Sequence, residues 1–145
     1  MGRKPGKYIA LTFVTIIAVA VFIGYRIWNK PHADIRDAHA VKTTSIALYE
    51  ILSKSGSGSA TYLNKVVEVS GVIADVLKNE QNQQIILLKT NVSGGSVNCT
   101  MEEEVIGIKP GDTIALKGIC SGYINGDKDM DLPGDVFLIR CYRSI

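Results

Sequence analysis

The stretch that most constrains the fold of this chain is YLNKVVEVSGVIADVLK, residues 62–78, which has the pattern of one long β-strand. Residues 67–70 alternate apolar and polar side chains, as in a strand buried on one face. After Gly71 the alternation shifts, and a second set takes the inward positions: Val72, Ala74 and Val76. This shift predicts a β-bulge near Ser70–Gly71, where the strand bends to pair with two neighbours. The first strand of a small closed barrel must do this.

An uncharged apolar run, Tyr8–Tyr25, precedes this region. Extended to Trp28, it would form a helix of about 31 Å at roughly 1.5 Å per residue, which matches a hydrocarbon core of about 30 Å. Aromatic residues at its two ends suit the bilayer interface. A cleaved signal peptide is the alternative, with cleavage after residues 18–20, but that site falls inside the apolar run. The sequence therefore predicts an uncleaved transmembrane anchor at 8–28.

The anchor divides the chain into four segments: a basic tail (1–7), the anchor helix (8–28), a polar juxtamembrane spacer (29–42) and a folded domain (43–145). Basic residues lie on both sides of the anchor, so the positive-inside rule gives only a small preference for a cytoplasmic N-terminus. Because the short tail has no domain of its own, we expect a signal anchor. The folded domain would then lie outside the cytoplasm, on the periplasmic side.

The net charge of +2 conceals an asymmetry along the chain. Five basic residues and no acidic residue lie in the first thirty positions. From Pro31 onward, 11 basic residues are outnumbered by 14 acidic ones, a net charge of −3. Affinity for nucleic acid comes largely from Lys and Arg, so an acidic folded domain disfavours a nucleic-acid partner.

The folded domain begins with a helix that Thr43 or Thr44 can cap. An apolar stripe along this helix predicts that it covers the barrel: Ala47, Leu48, Ile51 and Leu52. Four further strands follow residues 62–78, at 84–89, around 97–101, from Ile114 onward and at 137–142. A type II turn is predicted at 109–112, where Pro and Gly occupy its second and third positions.

Glu102, Glu103 and Glu104 lie between the third and fourth strands. Acidic residues favour the first turn of a helix, so they predict a short helix here. Three strands, a short helix and two strands is the order of an OB-fold, a partly open five-stranded barrel. The fold class expected is therefore mainly β: an OB-fold barrel with a covering N-terminal helix, preceded by one transmembrane helix.

Four segments carry a resemblance to a known family: YLNKVVEVSG at 62–71, VNC at 97–99, KPGDTIALKGICSGY at 109–123 and DVFLIRC at 135–141. They are similar to the tRNA-anticodon-binding-like OB-fold family of bacterial exported and membrane-anchored proteins. The resemblance covers nearly the whole chain. It implies an OB-fold in the bacterial envelope, and it brings no established substrate or catalytic residue with it.

The usual ligand surface of an OB-fold is its second and third strands, where aromatic side chains stack bases and cations follow the backbone. Here those strands offer polar side chains, one cation and no aromatic residue. The candidate ligand-binding residues on them are Lys89, Asn98 and Thr100. The loop between the fourth and fifth strands adds Asn125, Asp127, Asp129 and Asp131.

Three acids of this loop, Asp127, Asp129 and Asp131, occupy alternate positions, as in calcium-binding loops. However, Leu132 stands where the EF-hand pattern requires glycine. We therefore expect no metal site and a solvated acidic loop, with weak calcium binding as the alternative.

The three cysteines, Cys99, Cys120 and Cys141, are predicted to point inward from the third, fourth and fifth strands. On the fifth strand this parity would also turn Phe137 and Ile139 inward. Buried cysteines behave as small apolar side chains. In an oxidising compartment two of the three could form a disulfide, and every pairing is open.

The folded part offers no nucleophile beside a base, no zinc-spaced histidines and no phosphate loop, so we expect neither an enzyme nor a cofactor. The function expected is that of a membrane-anchored extracytoplasmic binding module. It would contact an envelope protein or a small ligand through the 125–134 loop and the face of strands two and three. An oligonucleotide- or oligosaccharide-binding domain that uses the same face is the alternative. The sequence does not indicate an oligomeric state.

Overall fold

An apolar helix, α1, is the first element and covers Gly6–Trp28. The structure, a computed structural model, describes residues 6–29, 34–54 and 57–145. Within α1, Ile9–Trp28 has a mean hydropathy of 2.1. At about 1.5 Å per residue it is long enough to span a bilayer. The predicted anchor is thus an apolar helix of membrane-span length. Residues 1–5 of the predicted tail and 30–33 of the predicted spacer lie outside the described residues.

The rest of the described chain is a barrel with one helix and one added strand. Its strands are β1 Val41–Thr44, β2 Val66–Lys78, β3 Gln84–Lys89, β4 Ser96–Met101, β5 Thr113–Ile124 and β6 Asp135–Arg143. The sheet order is β1-β2-β3-β4-β6-β5, and a further pairing of β2 with β5 closes it. All pairs are antiparallel except β1–β2 and β4–β6, which are parallel. The predicted mainly-β, five-stranded barrel is confirmed.

The core of the barrel is built from inward-facing aliphatic side chains on all five of its strands. Burial of each such side chain stabilises the fold by about 1.5–3 kcal/mol relative to exposure. Those with no exposed surface include Val67, Val69, Ile73, Ile86, Leu88, Val97, Leu116, Val136 and Leu138. The inward parity predicted for β4 and β5 matches this burial.

Strand β2 bends later than predicted. Its pairing with β5 is unbroken from Val66 to Val72, and the register shifts only between Ile73 and Asp75, against β3. Ile73 is consequently buried, whereas Val72 is 36% exposed. The bulge predicted at Ser70–Gly71 is therefore wrong in position.

Gly71 has a different role from the one predicted. A Cβ added to it would lie 2.5 Å from Ser45 Oγ. The Ser45 hydroxyl in turn donates a hydrogen bond to the carbonyl oxygen of Lys89, at 2.6 Å. Gly71 therefore makes room for a side chain that is tied to β3, and the strand does not need a bulge at this position.

Strand β1 was not predicted, because residues 29–42 were assigned to a spacer. Contacts divide the chain into two units, Met1–Ala33 and Asp34–Ile145, so the folded unit begins at Asp34 rather than at residue 43. Ile35 is buried. Val41–Thr44 adds a parallel strand to β2, with Val41 opposite Val67. Because β1 has only one apolar residue, its sequence lacks the apolar–polar alternation from which a strand is predicted.

Helix α2, Ser45–Ser53, closes one end of the barrel. Thr44 caps it as predicted, because its hydroxyl oxygen accepts a hydrogen bond from the Ala47 N–H at 3.2 Å. The buried side chains recur every three to four residues along one side: Ser45, Leu48, Tyr49 and Leu52. The predicted stripe was correct for Leu48 and Leu52, whereas Ala47 and Ile51 are only half-buried. A short 3-10 helix, Ser57–Thr61, follows α2.

Tyr49 attaches α2 to the barrel. Its hydroxyl donates a hydrogen bond to the carbonyl oxygen of Gly134 at 2.7 Å, and its ring meets Tyr123 edge to face, with centroids 5.8 Å apart. At Gly95, an added Cβ would lie 2.5 Å from the Tyr49 hydroxyl oxygen. Burial raises the pKa of Tyr49 to about 12. The backbone of glycine residues thus forms the recess that holds the Tyr49 ring.

The opposite end of the barrel is covered by residues 102–112, which form turns and contain no helix. The predicted short helix is therefore wrong. The buried side chain of Gln84 binds both backbone groups of Val105, donating to its carbonyl at 3.1 Å and accepting from its N–H at 2.8 Å. The Glu102 N–H donates to the carbonyl of Cys141 at 3.0 Å. These backbone groups bind other elements and are not free to form a helix.

Each of the three glutamates contacts a cation from another part of the chain. The pairs are Glu102 with Arg140 at 3.7 Å, Glu103 with Arg36, and Glu104 with Lys78 at 3.0 Å. The segment continues into the predicted turn at 109–112, where Gly111 has φ of +97°. The charge run therefore serves to hold a loop across the end of the barrel.

Candidate functional site

The expected ligand surface is the face of the second and third OB-fold strands, which are β3 and β4. In the structure β6 pairs with β4 and extends the outer surface of these strands. Strand register places Leu87 opposite Asn98, and Asn98 opposite Phe137. Ile85 lies opposite Thr100 in the same way. We call this surface the binding face and define it by six residues: Ile85, Leu87, Asn98, Thr100, Phe137 and Ile139.

Phe137 and Ile139 belong to the binding face because β6 contains a bulge. Arg140 has φ of +54°, and the pairing with β5 shifts between Lys117 and Ile119. Before Arg140 the odd-numbered residues Phe137 and Ile139 therefore face outward. After Arg140 the odd-numbered Cys141 faces inward and remains buried. The inward parity predicted for Phe137 and Ile139 is wrong. Phe137 is half-buried, and Ile139 is 43% exposed.

The structure brings two of the predicted ligand-binding residues together on this face. Asn98 and Thr100 lie two positions apart on β4, where both are half-buried. The Asn98 side-chain oxygen accepts a hydrogen bond from Ser96 Oγ at 3.0 Å, which orients its amide. Lys89 is exposed and lies opposite Ser96, at one end of the face. It is the one cation among the predicted ligand-binding residues.

The loop between β5 and β6 lies at the Lys89 end of the face. Its base is tied to β4, because Asp135 accepts hydrogen bonds from the N–H and hydroxyl of Ser96, at 2.8 and 2.9 Å. It also packs against the β3–β4 turn, where an added Cβ at Gly94 would lie 3.2 Å from Pro133. Thr100 is four residues along β4 from Ser96, about 13 Å at roughly 3.3 Å per residue. The loop therefore flanks one end of the face.

The predicted loop residues Asn125, Asp127, Asp129 and Asp131 are all exposed. Asp127 bonds within the loop: its side chain accepts from the Asp129 N–H at 2.9 Å, and its carbonyl accepts from the Leu132 N–H at 2.8 Å. In the described part of the chain no three His, Cys, Asp or Glu side chains are placed to hold a metal ion.

A second outer surface was not foreseen and lies across β2, β5 and β6. A row of paired residues, Glu68, Lys117 and Tyr142, crosses these strands. Arg36 lies over this row, with its guanidinium carbon 4.5 Å from the centroid of the Tyr142 ring, and it also pairs with Glu103. Lys117 donates a hydrogen bond to the Arg36 carbonyl at 2.8 Å. The segment before β1 thus covers this surface.

A groove of about 870 Å³ lies beside Arg36. Its lining carries both signs of charge, with Lys117 and Arg143 as cations and Glu68 and Glu104 as carboxylates. Such a mixture offers no net field for a polyanion. Because Arg36 and Lys117 already bind the chain itself, we assign this groove to the attachment of residues 34–37.

The three cysteines are buried and free in the structure. Interaction with the Cys141 side chain and burial raise the pKa of the Cys99 thiol well above its usual value. Burial also raises the pKa of Cys120. The thiols of Cys99 and Cys120 are therefore protonated and unreactive at neutral pH.

The features that sequence reasoning missed are Phe137, Ile139 and Arg36. The apolar run 136–139 fits either parity, so alternation alone could not orient it. Gly118 was the available signal, since glycine inside a buried strand marks a close approach. A Cβ added there would lie 2.4 Å from Cys141 Sγ. No local pattern announces the Arg36 contact, which joins residues far apart in the chain.

The chain is similar to known proteins both in structure and in sequence. Structures similar to this chain include the OBody AM3L09 bound to hen egg-white lysozyme, at 15% identity and a TM-score of 0.40, covering 79% of this chain and 96% of that one. They also include an aspartyl-tRNA synthetase from Leishmania major, at 9% identity and a TM-score of 0.43, covering 87% of this chain and 25% of that one. No curated protein gives a significant match. The tRNA_anti-like family model matches residues 6–130, and the chain therefore belongs to the tRNA_anti-like family.

Proposed function

We propose that this protein is a membrane-anchored OB-fold module that binds a partner protein of the bacterial envelope, outside the cytoplasm, through its binding face. The observation that carries the proposal is the outward-facing row Leu87, Asn98 and Phe137. Together with Ile85 and Ile139 it forms an apolar surface with polar groups at its centre. Aromatic and aliphatic anchors around a few hydrogen-bonding groups are typical of protein interfaces.

The shape and charge of the binding face favour a protein over other ligands. Small molecules bind in concave pockets, whereas two cavities in the described part of the chain, of about 870 and 340 Å³, are lined by other residues. Nucleic acids require several cations, whereas the face has Lys89 at one end only. A largely uncharged surface that lines neither of these cavities suits a protein partner, and the proposed role is binding without catalysis.

Position-specific photocrosslinking tests this function. A photoreactive amino acid is placed at Ile139 in the full-length chain in its native membranes. The matched control is Ile46 on α2, because Ile46 is 46% exposed and Ile139 is 43% exposed. The expected result is a discrete crosslinked protein from position 139 that position 46 does not give. Equal crosslinking from both positions, or none from position 139, would reject the binding face.

Membrane attachment and orientation rest on α1 and on the envelope location that the family resemblance implies. A cysteine introduced at exposed Asp129 tests orientation, since the three native thiols are buried. A membrane-impermeant maleimide should label Asp129→Cys in cells whose outer membrane is permeabilised and whose inner membrane is intact. Labelling only after lysis would place the domain in the cytoplasm. That result would contradict the proposed extracytoplasmic location. It would not decide whether the binding face holds a partner, which the crosslinking experiment tests separately.

Oligonucleotide or oligosaccharide binding is the second candidate, and Phe137 is the observation that favours it. An aromatic ring beside an amide can stack a base or a sugar ring while the amide forms hydrogen bonds. Titration of the full-length protein in detergent with single-stranded DNA at low salt separates the two functions. Submicromolar affinity that falls steeply with salt and is lost in Phe137→Ala would favour the nucleic acid. We expect no binding below about 100 µM, as for weak nonspecific contacts.

A further inference from the structure

Residues 34–44, which we call the strap, lie outside the closed barrel. The barrel closes without them, because β2 pairs with β5 along one edge and with β3 from Ile73 onward. The last part of the strap is β1, whose one partner strand in the described part of the chain is β2. All strap residues are described, and none belongs to the cluster of side chains that forms the barrel core. The strap is therefore an addition to a barrel that is complete by itself.

The first half of the strap is held by one buried side chain and by polar contacts near the surface. Ile35 is 3% exposed, although it lies outside the core cluster. Arg36 stacks on Tyr142 and pairs with Glu103, but the two side chains of this ion pair are 49% and 67% exposed. Such exposed contacts stabilise a structure only weakly. Besides the hydrogen bond that Lys117 donates to the Arg36 carbonyl, the main docking contact is therefore Ile35.

The second half of the strap is a short edge strand. Val41–Thr44 has four residues, and its ion pair joins Lys42 to Glu68 at 3.9 Å, with the Lys42 side chain 81% exposed. Ordering each residue of the strap costs conformational entropy, and few buried contacts oppose this cost. Segments with few buried apolar contacts open at a lower free energy than the whole fold. The strap has the properties of such a segment.

The strap ends at a fixed point. Thr44 caps α2, and the next residue, Ser45, is buried and donates its hydrogen bond to the Lys89 carbonyl. Leu48, one turn further along α2, belongs to the barrel core. Opening that begins at Asp34 can therefore continue through β1, but it stops where α2 begins.

We propose that the strap undocks from the barrel as a unit and docks again, while the barrel and α2 stay folded. The strap is the part of the folded unit that is nearest to α1 in sequence. Undocking frees eleven residues, which at about 3.6 Å per residue lengthen the connection between α1 and the barrel by up to about 40 Å. The use of this length to reach a partner rests on the proposed function, whereas the undocking does not.

Cysteine accessibility in the full-length protein in detergent tests the undocking. In Ile35→Cys the new thiol is buried while the strap is docked, and the three native cysteines, buried in the barrel, are internal controls. A maleimide should label position 35 about 10-fold or more faster than the native thiols, and about 10-fold or more slowly than the exposed thiol of Asp129→Cys. Labelling as fast as in Asp129→Cys would show that the strap is not docked. Labelling no faster than the native thiols would show that it opens only with the barrel. Either result would overturn the proposal.

Hydrogen exchange of the wild-type protein gives a second measurement that needs no substitution. The protected amides of β1 should exchange about 10-fold or more faster than those of Val97–Met101 in β4. Arg36→Ala should speed exchange in β1 about threefold and leave β4 unchanged, because it removes only exposed docking contacts. Lys128→Ala, at an exposed position, is the control and should change neither rate.

Equal exchange in β1 and β4, or exchange in β1 that does not respond to Arg36→Ala, would also overturn the proposal. Neither measurement involves a partner. A failure of the crosslinking experiment at Ile139 would therefore reject the binding face and leave the strap to be decided by these two measurements.

Discussion

The two ends of the barrel are closed by different physical means. At one end α2 is held by burial: Leu48 has no exposed surface, and the Tyr49 ring fills a recess formed by glycine backbone. At the other end residues 102–112 are held by the two hydrogen bonds of Gln84 and by ion pairs with partly exposed partners. The α2 end has fully buried apolar side chains beside the hydrogen bonds of Ser45 and Tyr49, whereas the other end has hydrogen bonds and ion pairs with only partly buried apolar side chains.

This difference indicates that the end closed by α2 is the more rigid of the two. Packing against a close-fitting core is insensitive to salt, whereas exposed ion pairs are weak and screened. The β5–β6 loop and the Lys89 end of the binding face lie at the end closed by α2. The first two predictions concern this end, and the next two concern the end closed by polar contacts.

The largest effect is expected for Leu48→Ala. Removing a fully buried leucine leaves a cavity, so the free energy of unfolding should fall by about 3 kcal/mol. Ile46→Ala on the same helix is the matched control, because Ile46 is exposed and its loss should cost less than about 1 kcal/mol. Chemical denaturation of both variants measures the difference. Equal losses would show that α2 is not packed as described.

The pH dependence of Tyr49 comes next. Its pKa is raised to about 12, chiefly by burial and then by the Tyr123 hydroxyl. The folded state therefore keeps the proton more tightly than the unfolded chain, and this stabilisation is present below pH 10 and lost between about pH 10 and 12. The stability difference between wild type and Tyr49→Phe should change by about 2 kcal/mol over that range, in favour of the variant. A constant difference would contradict a buried hydroxyl.

At the other end, Gln84→Ala should lower the free energy of unfolding by about 1–2 kcal/mol. It removes two hydrogen bonds and leaves the N–H and carbonyl of Val105 without their partner. Hydrogen exchange of the Val105 amide should become faster. Gln81→Ala, at an exposed position, is the control and should change neither quantity. Unchanged exchange at Val105 would show that Gln84 does not hold the loop.

The smallest effect is expected when the glutamates Glu102, Glu103 and Glu104 are all changed to Gln. The pairs are partly exposed, so together they should contribute only about 1 kcal/mol at low ionic strength. The loss should disappear in 1 M NaCl, where charges are screened over about 3 Å. Leu48→Ala should show no such salt dependence. A salt-independent loss would mean that the loop is held by something other than charge.

Much of the barrel could be predicted because its strands follow simple alternation. The inward sides of β4 and β5 and the cap at Thr44 are set by neighbouring residues, and each was predicted correctly. The turn at Gly111 belongs to the same class, since it needs a positive φ that glycine adopts readily. Local rules are sufficient wherever local contacts decide the structure.

The failures share one physical cause, which is contact between residues distant in sequence. The bulge in β2 moved to Ala74 because pairing with β5 holds the strand regular through Val72. The helix expected at 102–104 is absent because Gln84 binds the backbone there. Two of the six residues of the binding face were misplaced for the same reason, since the bulge at Arg140 decides whether Phe137 and Ile139 point inward or outward.

The central claim, that the binding face holds a partner protein, is tested most directly by recovery of that partner with two charge variants. Ile139→Glu and Ile46→Glu introduce the same charge at positions of similar exposure, and thermal melting confirms that both proteins fold. Crosslinked partner is then quantified from native membranes with a lysine-reactive reagent. We predict at least a 10-fold loss of partner for Ile139→Glu and no change for Ile46→Glu. Equal recovery with both variants would contradict the account.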